Sequence, residues 1–214
     1  MRFDAILFDL DNTLYPASAG VGARLEERMT AYVQRIVGCD LETARRLRQA
    51  YFLSHGTTLR GLQNDHSFDV EDYLSFVHEL QLEELLAADA ELDALLEQVP
   101  AVKAIFTNAP SEHARRVLGI LGIERHFDRI FDIRFAEFLP KPHPAAYRRI
   151  LETLDVAGER AVLIEDTPRN LPPARELGML TVLIGEPKPD LPQPDIVAPD
   201  VRHALRILQN GHGG

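Results

Sequence analysis

Apolar positions along the chain follow two patterns. Unbroken runs occur at AILFDL (5–10), VKAIFTN (102–108), RIFDI (129–133), AVLIED (161–166), LTVLIG (180–185) and DIVA (195–198). Such short runs, rich in Val, Ile and Leu, predict strands covered on both faces. From Val102 onward they alternate with helical periods. Val117, Leu118 and Leu121 share a face of 112–121, and Tyr147, Ile150, Leu151 and Leu154 share a face of 145–154. Strand–helix alternation predicts βαβ units and a mostly parallel sheet. The fold class is α/β, with a Rossmann-like three-layer core.

Between the first two runs the alternation stops. Residues 17–85 show only helical periods: Leu25, Met29, Tyr32, Val33 and Ile36; Ala44, Leu47 and Tyr51; Val70, Tyr73, Leu74 and Val77. Asp40 and Asp69 stand where N-caps belong. An ordinary crossover needs one helix, so the surplus predicts an inserted all-helical cap over 17–85, with the core formed by 1–16 plus 86–214. The stretch 88–100 predicts the helix that returns the chain to the sheet. The insertion leaves at the C-terminal end of the first strand, the edge where open α/β sheets bind ligands.

Polar residues gather at that edge. Asp9-Leu10-Asp11, Thr107-Asn108, Lys141-Pro142 and Glu165-Asp166 all fall at or just beyond predicted strand ends. Neighbouring carboxylates at the end of a buried strand repel one another and lose hydration, so they need a cation. Acidic groups from two strand ends suit a hard ion such as Mg²⁺, and a hydroxyl, backbone N–H groups and a lysine suit phosphate. On a continuing strand, residues two apart point to one side. Asp9 can then face phosphorus as a nucleophile while Asp11 serves the leaving oxygen as general acid and later activates water.

These four motifs, DLDNTL, FTNA, KPHP and IEDTPRN, resemble those of the haloacid dehalogenase-like (HAD) superfamily, in order and along essentially the whole chain. The resemblance implies a nucleophile at Asp9, an acid/base at Asp11, and Mg²⁺ held by Asp9, the Asp11 carbonyl and Asp166. It also implies that Glu165 holds a water of the ion and that Thr107, Lys141 and the N–H groups of Leu10 and Asn108 take the phosphoryl oxygens. DNTLYP, YFLSHGTTLRGL, DYLSFVHEL and NLPPARELGM are similar to the pyrimidine 5′-nucleotidase branch, which implies UMP- or CMP-like substrates. Within the insertion, Arg60, Asn64 and His66 are the substrate-contact candidates, and His78 ranks with His66. Asn170 either caps a helix or supports the metal loop. Pro172 and Pro173 fit only a first helical turn, so the helix after Asp166 is expected to start late.

Charge and composition narrow the partners. The net charge of −10 argues against a nucleic-acid polymer or a membrane surface, yet a local metal and lysine still admit a small phosphorylated metabolite. The single cysteine, Cys39, forbids an intrachain disulfide and permits a reducing cytoplasm. No leader before Phe3 and no membrane-spanning run are expected, and the closing NGHGG reads as a frayed tail. Other readings are a sugar-phosphate phosphatase or a phosphomutase, which share the core motifs. A dehalogenase needs no proton donor at Asp11. A receiver-like signalling module, from another class, lacks a large insertion after its first strand.

Overall fold

The computed structural model describes residues 3–211. The strands are β1 (Ala5–Phe8), β2 (Val102–Phe106), β3 (Arg129–Phe131), β4 (Ala161–Glu165), β5 (Leu180–Ile184) and β6 (Ile196–Ala198). They form one parallel sheet in the order β3-β2-β1-β4-β5-β6. The helices are α1 (Val21–Val37), α2 (Leu41–His55), α3 (Thr58–Asp65), α4 (Val70–His78), α5 (Ala90–Glu97), α6 (Ser111–Leu121), α7 (Pro144–Leu154), α8 (Pro172–Glu176) and α9 (Val201–Gln209). Of the expected tail, residues 212–214 lie outside the described residues, as do residues 1 and 2 ahead of Phe3. No described helix is long and apolar enough to cross a membrane.

β1 is central, with Leu7 in register between Ala104 and Leu163, and its four residues are all fully buried. Its side chains alternate between the two faces of the sheet. Ile6 and Phe8 pack with Leu92 of α5, Val117 of α6 and Leu205 of α9. Leu7 packs with Phe106, Leu163, Tyr147 and Ile150 of α7, and Ala174 of α8. Burial of each large apolar side chain here contributes roughly 1.5–3 kcal/mol. The three-layer expectation is met, and the covered faces explain why the runs are apolar throughout.

α1 to α4 stand between β1 and β2, with α1 against α2 and α4, and α2 against α3. Tyr32 centres their packing, its ring 4.9 Å from Tyr73 and 5.6 Å from Phe76. Both expected N-caps form: Asp40 accepts from the Thr43 N–H at 2.8 Å, and Asp69 from the Glu71 N–H at 2.9 Å. Gly61 lets α3 approach α2, because a Cβ there would lie 2.2 Å from the Tyr51 ring. Beyond β4 a short 3-10 turn (Pro168–Asn170) precedes α8, which begins at Pro172 with both prolines in its first turn. That helix starts late, as the two prolines require.

Candidate active site

β1 stops at Phe8 and β2 at Phe106, so Asp9 and Thr107 are the first residues past their strands, while Glu165 is the last of β4. The Asp9 N–H still bonds the Ile164 carbonyl at 2.9 Å, which fixes the aspartate to the sheet. The chain then turns through Asn12, at φ 63°, with Thr13 and Leu14 donating back to the Leu10 carbonyl. Asp9 Oδ2 accepts from Thr13 Oγ1 at 3.1 Å.

Lys141 is the hub. Its ammonium, only 1% exposed, donates at 2.7 Å each to Asp9 Oδ1, Glu165 Oε2 and the Phe106 carbonyl. Its backbone is clamped by Asn108, whose Oδ1 accepts from the Lys141 N–H at 2.8 Å and whose Nδ2 donates to the Lys141 carbonyl at 3.3 Å. Thr107 is buried, its hydroxyl accepting from the Ala109 N–H at 3.0 Å. Glu165 Oε1 accepts from the Thr167 N–H at 3.0 Å, and Asp166 Oδ1 from the Thr167 hydroxyl at 3.1 Å.

The electrostatics show an excess of negative charge. Burial pushes the Asp9 carboxyl up to about 7, with the Glu165 charge adding to the rise and Lys141 opposing it. Burial likewise raises Glu165 and Asp166. Burial favours neutral Lys141, but the Asp9 and Glu165 carboxylates outweigh it and keep the ammonium charged. One ammonium, paired with Asp9 and Glu165 but not with Asp166, therefore stands against three carboxylates, whose oxygens lie within 4.8 Å of one another. This all-oxygen, charge-deficient donor set fits a hard divalent cation. Asn170 lines the same space, with its Oδ1 buried and unpartnered and its carbonyl held by the Tyr147 hydroxyl at 2.7 Å.

Asp11 lies on the other side of Asp9. Its Oδ1 accepts from the Tyr15 hydroxyl and from His113 Nε2, the latter at 2.9 Å. Burial would raise its pKa, but His113 and then Tyr15 hold it below the usual carboxylate range. His78 packs on His113 with ring centroids 4.9 Å apart, donates Nδ1–H to the Leu74 carbonyl at 2.8 Å, and is depressed to about 4 by burial and by His113.

A cavity of about 270 Å³ opens over these groups. From the insertion it is walled by Leu25, Met29, Arg48, Phe52, Tyr73 and His78. Asp9, Asp11, Thr107, Asn108, Lys141, Glu165, Asp166 and Asn170 all reach it, and Leu10 is fully buried beside them. Arg60 and Asn64 line a neighbouring groove with His55 and His143 instead, and His66 ends α3 and lines neither. The reason is helical phase: α3 buries Thr58, Leu59, Gly61 and Leu62, so Arg60 and Asn64 fall on its opposite flank.

Two arginines supply the cavity instead. Arg48 pairs with Glu26 at 3.0 Å and leaves its buried Nε unpartnered. Arg169 stacks on Phe52 at 3.8 Å and donates to the Phe52 and Gly56 carbonyls, at 2.8 and 2.9 Å, tying the loop after β4 to the C-terminal end of α2. Sequence reasoning overlooked Arg48, Arg169, Tyr15 and His113 as site groups. Arg48 had a signal: it stands four residues after Ala44, on the edge of the apolar stripe of α2. Tyr15 is four residues after Asp11 in the turn. His113, 102 residues from Asp11, had none.

Comparison with known proteins adds the family. Phosphate metabolism protein 8 of Saccharomyces cerevisiae is 30% identical over 187 residues, covering 80% of this chain and 58% of the yeast protein, so the chain spans less than two thirds of that relative. The phosphoglycolate phosphatase of Rhodospirillum rubrum is 26% identical over 197 residues, 84% of this chain and 78% of that one. The L-2-haloacid dehalogenase of Xanthobacter autotrophicus with chloropropionic acid covalently bound superposes with a TM-score of 0.63 at 15% identity, covering 99% of this chain and all of the other, a likeness of fold alone. The haloacid dehalogenase-like hydrolase family matches residues 3–178. That span takes in every strand end and loop that carries the site, and the chain belongs to the haloacid dehalogenase-like hydrolases.

Proposed function

We propose that this hydrolase removes phosphate from small phosphomonoesters through an aspartyl-phosphate on Asp9, and that pyrimidine nucleoside 5′-monophosphates are its substrate class. The observation that carries the reading is the pairing of Asp9 Oδ1 with a buried lysine, two residues before a second carboxylate on the same edge. Lys141 orients Asp9 and, with Thr107 and the N–H groups of Leu10 and Asn108, takes the phosphoryl oxygens. An Asp9 oxygen attacks phosphorus as the bond to the leaving oxygen breaks, and Asp11 in its protonated form gives that oxygen its proton. The Asp11 carboxylate then takes a proton from a water that attacks phosphorus, the bond to Asp9 breaks, and inorganic phosphate leaves.

Asp9, the Asp11 carbonyl and Asp166 would hold Mg²⁺, with Glu165 and Asn170 supporting them. The ion supplies positive charge to a transfer whose transition state is negative. Residues 17–85 act as a cap over the core of 1–16 plus 86–214, excluding water and meeting the part of the substrate beyond phosphate. The nucleotide class is supported by the cap phrases that resemble the nucleotidase branch and by the half-exposed Phe52 face at the cavity. A dehalogenase reading leaves Asp11 without a task, because a departing halide needs no proton. The single Cys39 suits work in a reducing cytoplasm.

A panel of phosphomonoesters, including UMP, CMP, AMP, GMP, sugar phosphates and phosphoglycolate, read by free phosphate with and without Mg²⁺, tests this. Metal-dependent release with the highest kcat/KM on UMP or CMP is expected. A preference for sugar phosphates would overturn the nucleotide class, and phosphate release undiminished in chelator would overturn the metal.

A further inference from the structure

Asp11 is held in an unusual way for a proton carrier facing a cavity. Both of its hydrogen bonds converge on one oxygen, Oδ1, from two directions. Tyr15 reaches it from the turn after β1, and His113 reaches it from the first turn of α6. Tyr15 is 5% exposed and His113 is 2% exposed, so both donors are shielded from water while Asp11 itself reaches the cavity. Asp11 in its ionised form only accepts, so Nε2 of His113 carries the hydrogen. The other ring nitrogen, Nδ1, is buried without a partner. Among the described residues the imidazole thus has one polar contact, and that contact is Asp11.

Leaving a buried ring nitrogen unpaired costs stability. A histidine there for packing alone would be replaced without loss by an apolar ring. A histidine serving as a tie between elements would use both nitrogens. Neither account fits a ring whose single bond ends on the carboxylate of the acid/base.

The geometry points to His113 and Tyr15 as a pair of positioning residues that pin Asp11 Oδ1 and so aim Oδ2 at the leaving oxygen. This inference rests on the phosphatase reading above. Rotation of the carboxylate breaks two buried bonds at once, so the proton carrier is already oriented before substrate arrives. His78 backs the imidazole from the cavity side, with its own Nδ1 committed to the Leu74 carbonyl.

The two half-reactions give a test that general damage would not mimic. The first needs Asp11 as an acid only when the leaving oxygen is a poor one, as in an alkyl phosphate. The second needs Asp11 as a base for every substrate. Steady-state and burst kinetics are measured with UMP and with p-nitrophenyl phosphate, for wild type, His113→Leu, Tyr15→Phe and His113→Gln. In His113→Leu and Tyr15→Phe, kcat/KM for UMP is expected to fall about ten- to a hundredfold, less than the roughly 10²–10⁴-fold of losing the general acid itself, because Asp11 is misaimed and not removed. For p-nitrophenyl phosphate, kcat/KM should hold, while kcat and KM fall together and a burst of nitrophenolate appears. His113→Gln places an amide N–H within reach of Oδ1 and should restore much of the UMP rate. In an Asp11→Asn background, His113→Leu should leave the ratio of UMP to aryl activity unchanged.

Equal losses of kcat/KM on both substrates would mean that His113 and Tyr15 are structural, as would a further change in that ratio when Asp11 is already Asn. If His113→Leu does not fold, Tyr15→Phe, which removes a single oxygen, decides the matter by the same criteria. A wild type that cleaves p-nitrophenyl phosphate but no alkyl phosphate overturns this inference and leaves hydrolysis at Asp9 standing. A wild type inactive on both overturns the phosphatase reading and this inference with it.

Discussion

The two walls of the cavity are built on opposite principles. On the sheet edge, each charged group is already committed: Lys141 makes three bonds, Asn108 clamps its backbone, and Asp9, Glu165 and Asp166 each accept from a fixed donor. On the helical side, Arg48 makes one ion pair with an exposed glutamate and keeps a buried Nε free, and Phe52 is half-exposed. On the phosphatase reading proposed above, the phosphoryl group is the same in every substrate, so its site can be rigid and preorganised. The leaving group varies, so the wall that meets it is held together by apolar packing and leaves its donors unspent. Chemistry and selectivity are therefore separable by mutation.

The strongest way to break this contrast is Asp9→Asn. The amide is near-isosteric, keeps a bond to Lys141, and cannot attack phosphorus. Turnover should vanish while the melting temperature stays close to that of wild type. In the active enzyme, rapid acid quench during turnover of ³²P-labelled substrate should trap phosphate covalently on Asp9, and a single turnover in ¹⁸O-labelled water should label phosphate but not Asp9, because water attacks phosphorus. No trapped phosphoenzyme, together with inversion of configuration at phosphorus, would mean that water attacks directly.

Metal comes next. With one ammonium among three carboxylates, the metal-free site carries an Asp9 pKa of about 7, raised by burial above its unfolded value. A carboxyl raised on folding favours the folded state at low pH, and that contribution is lost as pH climbs from the unfolded value through the folded one. The metal-free protein should therefore lose stability between about pH 4 and about pH 7. Mg²⁺ should restore it, with a larger rise in melting temperature near pH 8 than near pH 5, because protons compete with the ion. A pH-independent rise would show that the ion binds elsewhere.

How much of this was legible in the sequence follows the same division. The strands were readable because burial on both faces demands uninterrupted apolar runs, and the edge residues were readable because charge at the end of such a run needs a reason. Asp40 and Asp69 were readable as caps from local chemistry. What escaped was set by convergence of distant segments. His113 meets Asp11 only because β1 and β2 are neighbours in the sheet and α6 follows β2. Arg60 stands out in the sequence by its polar neighbours, a signal that ignores helical phase and passes over Arg48. Leu59 and Leu62 turn Arg60 outward, while Arg48 shares a helix edge with buried Ala44.

That contrast can be sharpened directly. Arg48→Ala should lower kcat/KM for UMP by about tenfold, the loss of one charge-assisted hydrogen bond. It should scarcely change the aryl phosphate, which ends before the helical wall. Arg60→Ala, from the neighbouring groove, should cost less on UMP. The reverse order would return the leaving-group contact to α3.

The smallest expected effect probes how the helical wall is held. Asp69 caps α4 by accepting from the Glu71 and Asp72 N–H groups at 2.9 and 3.4 Å, and α4 carries Tyr73, Leu74 and His78 to the cavity. Asp69→Ala removes the acceptor and frays that first turn, at a cost of about 1 kcal/mol. The turn is also gripped from the core side, where Arg134 bonds Glu71 at 2.9 Å. That half-exposed pair is worth less than about 1 kcal/mol, so it cannot replace the cap. The melting temperature should fall by a few degrees, and kcat/KM on p-nitrophenyl phosphate should stay within the error of wild type. UMP should show a small rise in KM at constant kcat, because Tyr73 is less firmly placed while Asp9, Asp11 and Lys141 are untouched. A parallel fall in kcat on both substrates would mean that the order of α4 reaches the sheet edge through His78 and His113, and that the two walls are less independent than their bonding implies.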